Sequence, residues 1–427
     1  MNKIVIHIIS FCMLLLFSCS KDKDVEKPII SMSSPIELQQ ISGGDNIMII
    51  GTISDDKNIE LVTVTLRDNK NTPVLSAVTR VPSESESTSY QLELNYFFDD
   101  VQLVSGQYEF NITAFDGENT TTKYISILYS EFEKKREGIF VIGNSGNFSN
   151  ISLLNNNFSS RFYKSISGDF IGASVDLSNQ QLINVAKTVG SISASVTLSG
   201  NEIWSFPVPG SYPTPYYTGF YYHDQNIYLG KRNGGVQGYD KNGNPNFSTG
   251  TSPGSYMECA VVHDDEYFVI EEKPIVFNNS SKISLSWLYS GIRIQQTTIN
   301  SDVKGIYSST KNTLVILAND ASLNAKVIFY DIPTGGLLNS FNISSLGEID
   351  DCLEISNGVY LVAASDDLKI VNINNHSTLG YLNGIPADKI WFDNLANELY
   401  VAYGSSLSVY DFSSRMLKGS YSHTEKI

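Results

Sequence analysis

From Gly138 onward the chain repeats itself, and that period leaves few folds open to it. Equivalent apolar segments read Ile139-Phe140-Val141, Leu182-Ile183-Asn184, Ile227-Tyr228-Leu229, Tyr267-Phe268-Val269, Leu314-Val315-Ile316, Tyr360-Leu361-Val362 and Leu399-Tyr400-Val401. They recur every ~40–47 residues, the length of a four-stranded sheet that must stack on its neighbour to bury its faces. A second repeated piece is clearest at Gly238-Tyr239-Asp240, Phe329-Tyr330-Asp331 and Val409-Tyr410-Asp411. Nothing after Phe17 sustains a 3.6-residue apolar period, and short Val-, Ile-, Tyr-, Phe- and Thr-rich runs dominate. The expected fold class is all-β, with a seven-bladed β-propeller over residues 138–427. The alternative is a repeat-free double sandwich.

Residues 28–131 form an earlier unit. Strands are expected at Asn46-Ile53, Ile59-Arg67, Ser89-Tyr96, Gly106-Ala114 and Thr122-Leu128, the spacing of a small sandwich. The pieces Gly51-Thr52-Ile53-Ser54-Asp55-Asp56, Gly106-Gln107-Tyr108 and Ala114-Phe115-Asp116-Gly117 resemble Ig-like modules of bacterial surface proteins. No cysteine pair accompanies them, so only the Ig-like β-sandwich architecture carries over. The charged run from Glu131 to Glu137 reads as a linker.

At the other end, Lys3 precedes an apolar run, Ile4 to Phe17, that is too short to span a bilayer. It closes on Leu16-Phe17-Ser18-Cys19, which resembles the lipobox of bacterial lipoproteins. Residues 1–18 are then a lipoprotein signal peptide, and Cys19 carries the acyl chains that hold the protein to a membrane. The alternative is an ordinary secretory signal with an incidental cysteine. Residues 19–27, charged and without apolar pattern, read as a solvated tether. They also look like the acidic export signal of Bacteroidota lipoproteins, which implies an outer-membrane, cell-surface location. Of the remaining thiols, Cys12 leaves with the signal, while Cys259 and Cys352 read as reduced core residues.

Aligning the repeats also aligns the strands that should line the central channel. They begin at Ile171-Gly172, Thr218-Gly219, Glu258-Cys259, Lys304-Gly305, Asp351-Cys352 and Lys389-Ile390, usually with a small residue second. The channel mouth is therefore expected to gather Glu258, Lys304, Asp351 and Lys389, with Asp350 and Asp388 just before them. Asp169, Tyr216, Tyr217, Tyr256 and Asp302 complete the candidate ligand-binding set. Acids and lysines can hydrogen-bond a polar ligand while tyrosines stack on its rings. The segment Tyr212-Pro213-Thr214-Pro215-Tyr216-Tyr217 is the favoured stacking loop because its prolines stiffen it. The competing reading makes the acid–lysine pairs structural bridges. The C-terminal Glu425-Lys426-Ile427 aligns with Asp388-Lys389-Ile390, where a ring-closing strand would begin.

Catalysis is not expected. Asp350 and Asp351 are adjacent on a strand and point to opposite faces, which suits no acid/base pair. Metalloprotease, nucleophile-elbow, phosphate-loop and dinucleotide motifs are missing. The scattered His223, His263, His376 and His423 read as satisfied surface residues, and no metal or cofactor is implied. Leu198 to Phe206 resembles one repeat of the quinoprotein dehydrogenases, a likeness that reports blade packing. A net charge of −16 disfavours nucleic acid as a partner.

The opening Glu137-Gly138-Ile139-Phe140-Val141-Ile142-Gly143-Asn144-Ser145-Gly146-Asn147-Phe148 resembles that of YncE-like propeller lipoproteins of Bacteroidota. Gly143-Asn144-Ser145 departs from the usual Leu-Asn-Glu. The resemblance implies a surface protein capturing a nutrient, a corrinoid or a glycan, beside a TonB-dependent transporter. The alternatives are a scaffold or adhesin for a protein partner, and then a polysaccharide hydrolase or lyase.

Overall fold

The chain divides between Lys135 and Arg136 into two compact units. A computed structural model describes residues 25–427 except 75–76, 84–87, 101–102, 147, 189–190, 208–214, 277–279 and 344. Cys19 and the signal thus lie outside the described residues. Every regular element among those described is a strand.

The N-terminal unit holds two sheets. One orders Ile29–Ser34, Asn46–Ser54 and Ser89–Phe97; the other orders Gln39–Ser42, Thr120–Ser130, Gly106–Phe115, Leu61–Arg67 and Val78–Arg80. Strand alternation sorts their side chains: Ile47, Ile49 and Ile53 are buried while Met48 and Ile50 face solvent. The buried set meets Val62, Leu66, Phe110, Ile112 and Ile127 of the other sheet in one core. The five anticipated strands are all present. Ile29–Ser34, Gln39–Ser42 and Val78–Arg80 escaped sequence reading because so few residues carry too little alternation.

In the C-terminal unit, a three-stranded sheet (Ile139–Asn144, Phe148–Leu154, Ser160–Ser167) precedes six four-stranded sheets, each antiparallel and paired in chain order. The six first strands are Phe170–Asp176, Tyr217–His223, Ser255–His263, Asp302–Thr310, Ile349–Ser356 and Lys389–Asp393. Each but the last packs against the first strand of the next sheet, which is the β-propeller arrangement. The sheets are numbered here from first to last in chain order.

Second strands explain the repeat. Leu314, Val315, Ile316 and Leu317 of the fifth sheet are all solvent-free. Leu314 and Ile316 join a core shared with the fourth sheet, whereas Val315 and Leu317 join one shared with the sixth. A strand buried on both faces needs continuous rather than alternating apolar residues. Two histidines depart from the surface reading: His263 is fully buried, and His423 packs against Gly143, where an added Cβ would strike its ring.

The last sheet also packs on the first. Val141 and Leu154 share a core with Tyr400, Ala402, Leu407 and Val409. Asn144 bridges Lys426 in antiparallel fashion, its N–H donating to the Lys426 carbonyl at 2.7 Å. Arg136 adds a charged clasp, reaching Glu398 and Tyr400 on the last sheet. Lys418 and the Tyr400 hydroxyl also hold the Glu398 carboxylate. Burial alone would raise the Glu398 pKa, but these hydrogen bonds bring it down to about 2. Arg136→Ala should lower unfolding free energy by about 3 kcal/mol in urea titrations at neutral pH, since Lys418 still partly compensates the buried acid. Because the Glu398 pKa is depressed on folding, its stabilisation is complete above its unfolded value near 4.5 and fades as pH falls toward 2. The gap between wild type and variant should close over that window.

Candidate functional site

Five of the six first strands begin with a break in register. The pairing slips between Phe170 and Gly172, Tyr217 and Gly219, Met257 and Ala260, Val303 and Gly305, and Ile349 and Asp351. Ile171, Thr218, Glu258 with Cys259, Lys304 and Asp350 are therefore β-bulge residues, left out of the ladder and re-aimed. The repeat alignment nominated these positions, with two corrections. In the sixth sheet the bulge falls at Asp350, and Asp351 pairs regularly with Ala363. In the last sheet Lys389 pairs regularly with Ala402. The small residues beside the bulges let strands crowd the axis: a Cβ on Gly219 would lie 2.7 Å from the Glu258 carbonyl oxygen.

Polar links then run from sheet to sheet. The Thr218 hydroxyl donates to the Met257 carbonyl at 2.8 Å. Lys273 stands between Glu258 at 2.9 Å and Asp302 at 2.8 Å, and Lys304 reaches the same aspartate at 3.1 Å. Asp351 accepts from the Ile390 N–H at 2.9 Å and pairs with Lys389 at 3.2 Å. Asp388 accepts from the Gly404 N–H at 3.0 Å and pairs with Lys426 at 3.1 Å. Glu258, Asp302 and Lys304 thus form one charged cluster, and Asp351 with Lys389 and Asp388 with Lys426 form two pairs. Asp350 is exposed. The Tyr307 hydroxyl binds the Cys352 carbonyl at 2.7 Å and its sulfur at 3.3 Å. Cys259 and Cys352 are free thiols, and burial pushes the Cys352 pKa up to about 12.

Asp169, Tyr216 and Tyr217 do not join these groups, whereas Tyr256 pairs across the strands with Lys273. Tyr216 and Tyr217 are 8% and 4% exposed, contrary to their reading as open stacking platforms. Their amides both donate to the Lys187 carbonyl, at 3.0 and 3.1 Å, which ties the segment to the second sheet. The rings consequently fill the core with Ile183, Val185 and Leu229. Residues 212–214 of that loop lie outside the described residues. Asp169 turns to its own sheet, accepting from the Thr188 N–H at 2.8 Å and from the Thr188 hydroxyl. Tyr256 is half-buried and already carries a cation, the Arg232 guanidinium, 4.7 Å from its ring centre.

Sequence reading missed Lys273 and Glu271, both on the second strand of the fourth sheet, Tyr267–Pro274. Their spacing puts both on one face of the strand, but only tertiary packing brings Lys273 between Glu258 and Asp302. Glu271 is fully buried; Ser281 donates to one oxygen at 2.6 Å, and Lys273 lies 3.9 Å from that same oxygen. The other oxygen has no partner among the described residues. Burial dominates and raises the Glu271 pKa to about 7, against the opposing pull of Lys273.

No family model matches the sequence, and no curated protein matches it. Solved structures it is similar to include a protein of unknown function from Bacteroides caccae, at 15% identity and TM-score 0.42, over 57% of this chain and 94% of that one. The Neurospora crassa Pan2 WD40 domain is similar at 12% identity and TM-score 0.45, over 57% and 76%. BamB from Moraxella catarrhalis is similar at 10% identity and TM-score 0.42, over 68% and 87%. The propeller class stands on the sheet order and the packing between sheets.

The raised Glu271 pKa has a stability consequence. A folded-state value above the unfolded one means the folded chain binds the proton more tightly, so stability falls as pH rises from about 4.5 to about 7. Glu271→Gln should remove that slope. Urea titrations at pH 5 and pH 8 should show the variant gaining on wild type only at the higher pH, by on the order of 2–3 kcal/mol.

Proposed function

We propose that this chain is a lipid-anchored protein of the bacterial cell surface whose propeller mouth captures a small polar nutrient. In this reading Cys19 carries the acyl chains, residues 19–27 are the tether, and an Ig-like module precedes a closed ring of seven blades. The ligand is a corrinoid or a glycan, passed to a TonB-dependent transporter.

One observation carries the binding site. Two bulged, charged residues from separate repeats, Glu258 and Lys304, come together with regularly paired Lys273 and Asp302, and Asp351 pairs with Lys389 in the following sheets. A fold needs no bulge to continue a strand, and bulges are favoured where a side chain must be re-aimed. Mixed charges held by their neighbours, rather than by long flexible searches, are preorganised for a ligand with both donors and acceptors.

Two measurements test the two halves. Cys19→Ala should move the expressed protein from the membrane to the soluble fraction and abolish palmitate labelling; unchanged membrane retention defeats the anchor. Calorimetry with cobalamin and a panel of neutral oligosaccharides should show saturable binding, weakened roughly tenfold or more by Lys304→Ala. No heat with any of them removes the capture reading.

A further inference from the structure

A cavity lies at the opposite ends of the same inner strands. It measures about 250 Å³ and sits between the fourth and fifth sheets. Tyr267, Trp287, Ile294 and Pro333 supply apolar walls, and Asp264, Glu266, Lys311 and Asn312 supply polar ones. Asp264 and Glu266 belong to the hairpin that follows Ser255–His263, and Lys311 with Asn312 to the hairpin that follows Asp302–Thr310. Along the strand this is about 20 Å from Glu258, so the cavity is separate from the mouth.

The cavity is built in advance. Buried His263 joins its two hairpins, one ring nitrogen 2.8 Å from the Ser308 hydroxyl and the other 2.9 Å from the Lys311 carbonyl oxygen. On the outer side, the Gln295 amide donates to the Pro333 carbonyl at 3.1 Å. Neither hairpin can drift without breaking these contacts.

The rings form a ledge rather than a cage. Tyr267 and Trp287 stack at 5.0 Å with 26° between planes, and Tyr289 continues the row 5.8 Å from Trp287 at 37°. Tyr289 is 82% exposed, which carries the aromatic surface out of the cavity. Cation cages set rings at steep angles around a charge, and an ammonium lining the same cavity repels a cationic guest. The two carboxylates repel an anion. A neutral ring with one apolar face and several hydroxyls satisfies both constraints, because hydroxyls donate to carboxylates and accept from lysine and asparagine. A volume below the 300–1,000 Å³ typical of drug-sized ligands suits a single ring.

We infer that this inter-sheet cavity is a binding site for one neutral pyranose unit, with the Trp287 indole, backed by Tyr267, contacting its C–H face and Asp264, Glu266 and Lys311 its hydroxyls. The site does not depend on the mouth being a ligand site.

The chain has three tryptophans, so Trp204→Phe/Trp391→Phe leaves Trp287 as the only indole reporter. Titrating this full-length double variant with methyl glucoside, methyl galactoside, methyl mannoside and methyl N-acetylglucosaminide should give a saturable fluorescence change with at least one. Saturation-transfer NMR on the otherwise wild-type chain should show the same sugar bound, and Trp287→Ala should weaken it roughly tenfold or more. Asp264→Asn, on an exposed hairpin, should also weaken it while leaving the melting temperature unchanged, which keeps the test valid should Trp287→Ala not fold. Lys304→Ala should leave it intact. No saturable response, or binding lost in Lys304→Ala but kept in Trp287→Ala and Asp264→Asn, overturns the inference; the second outcome places the sugar at the mouth. Binding of choline in place of every glycoside also overturns it.

Discussion

A four-stranded antiparallel sheet has two faces and cannot bury either by itself. The C-terminal unit meets that constraint by giving each core to two sheets at once. Val261, Ile283 and Leu285 of the fourth sheet meet Val303, Ile306 and Leu314 of the fifth, and the pattern continues into the sixth and the last. The last sheet finds its partner in the first, through Val141 and Leu154 against Tyr400 and Val409. Without that contact two apolar faces would be left in water. The Arg136–Glu398 clasp and the Asn144–Lys426 bridge stand where that need arises.

Stacking sheets in this way crowds their first strands, and the crowding sets the chemistry of the mouth. Small residues such as Gly219 permit the approach, and the bulges turn charged side chains out of the ladder. The acids and lysines then neutralise one another between sheets, so the links that stabilise the stack also fix the geometry a ligand would meet. Structural bridge and binding site are compatible descriptions of the same residues. Glu271 marks the cost of the arrangement, a carboxylate held where burial favours its protonated form.

At the opposite ends of those strands short hairpins join the first strand of each sheet to the second. There the neighbouring sheets leave a lined hollow instead of a continuous core, and His263 spans it from beneath. Aromatic residues that would be ordinary packing on a closed face become a ledge at its edge.

Much of this was written in the chain because it is local and repeated. A second strand buried on both faces must be apolar throughout, so Leu314 to Leu317 and their counterparts announced repeated sheets that pack on one another. The same period placed Glu258 and Lys304 at equivalent positions, and Trp204, read as blade packing, does bond the next sheet through the Lys241 carbonyl at 2.8 Å. Tertiary structure alone decided which neighbours those residues meet. Tyr216 and Tyr217 looked like a presented loop until the Lys187 carbonyl drew their backbone inward and the core took their rings. Lys273, Glu271 and the Trp287 cavity were not marked by the repeat, since Lys273 and the cavity take their partners from a neighbouring sheet and the Glu271 setting comes from burial. Periodicity encodes what every copy must do; contacts between copies depend on the twist and spacing of the stack, which no single segment carries.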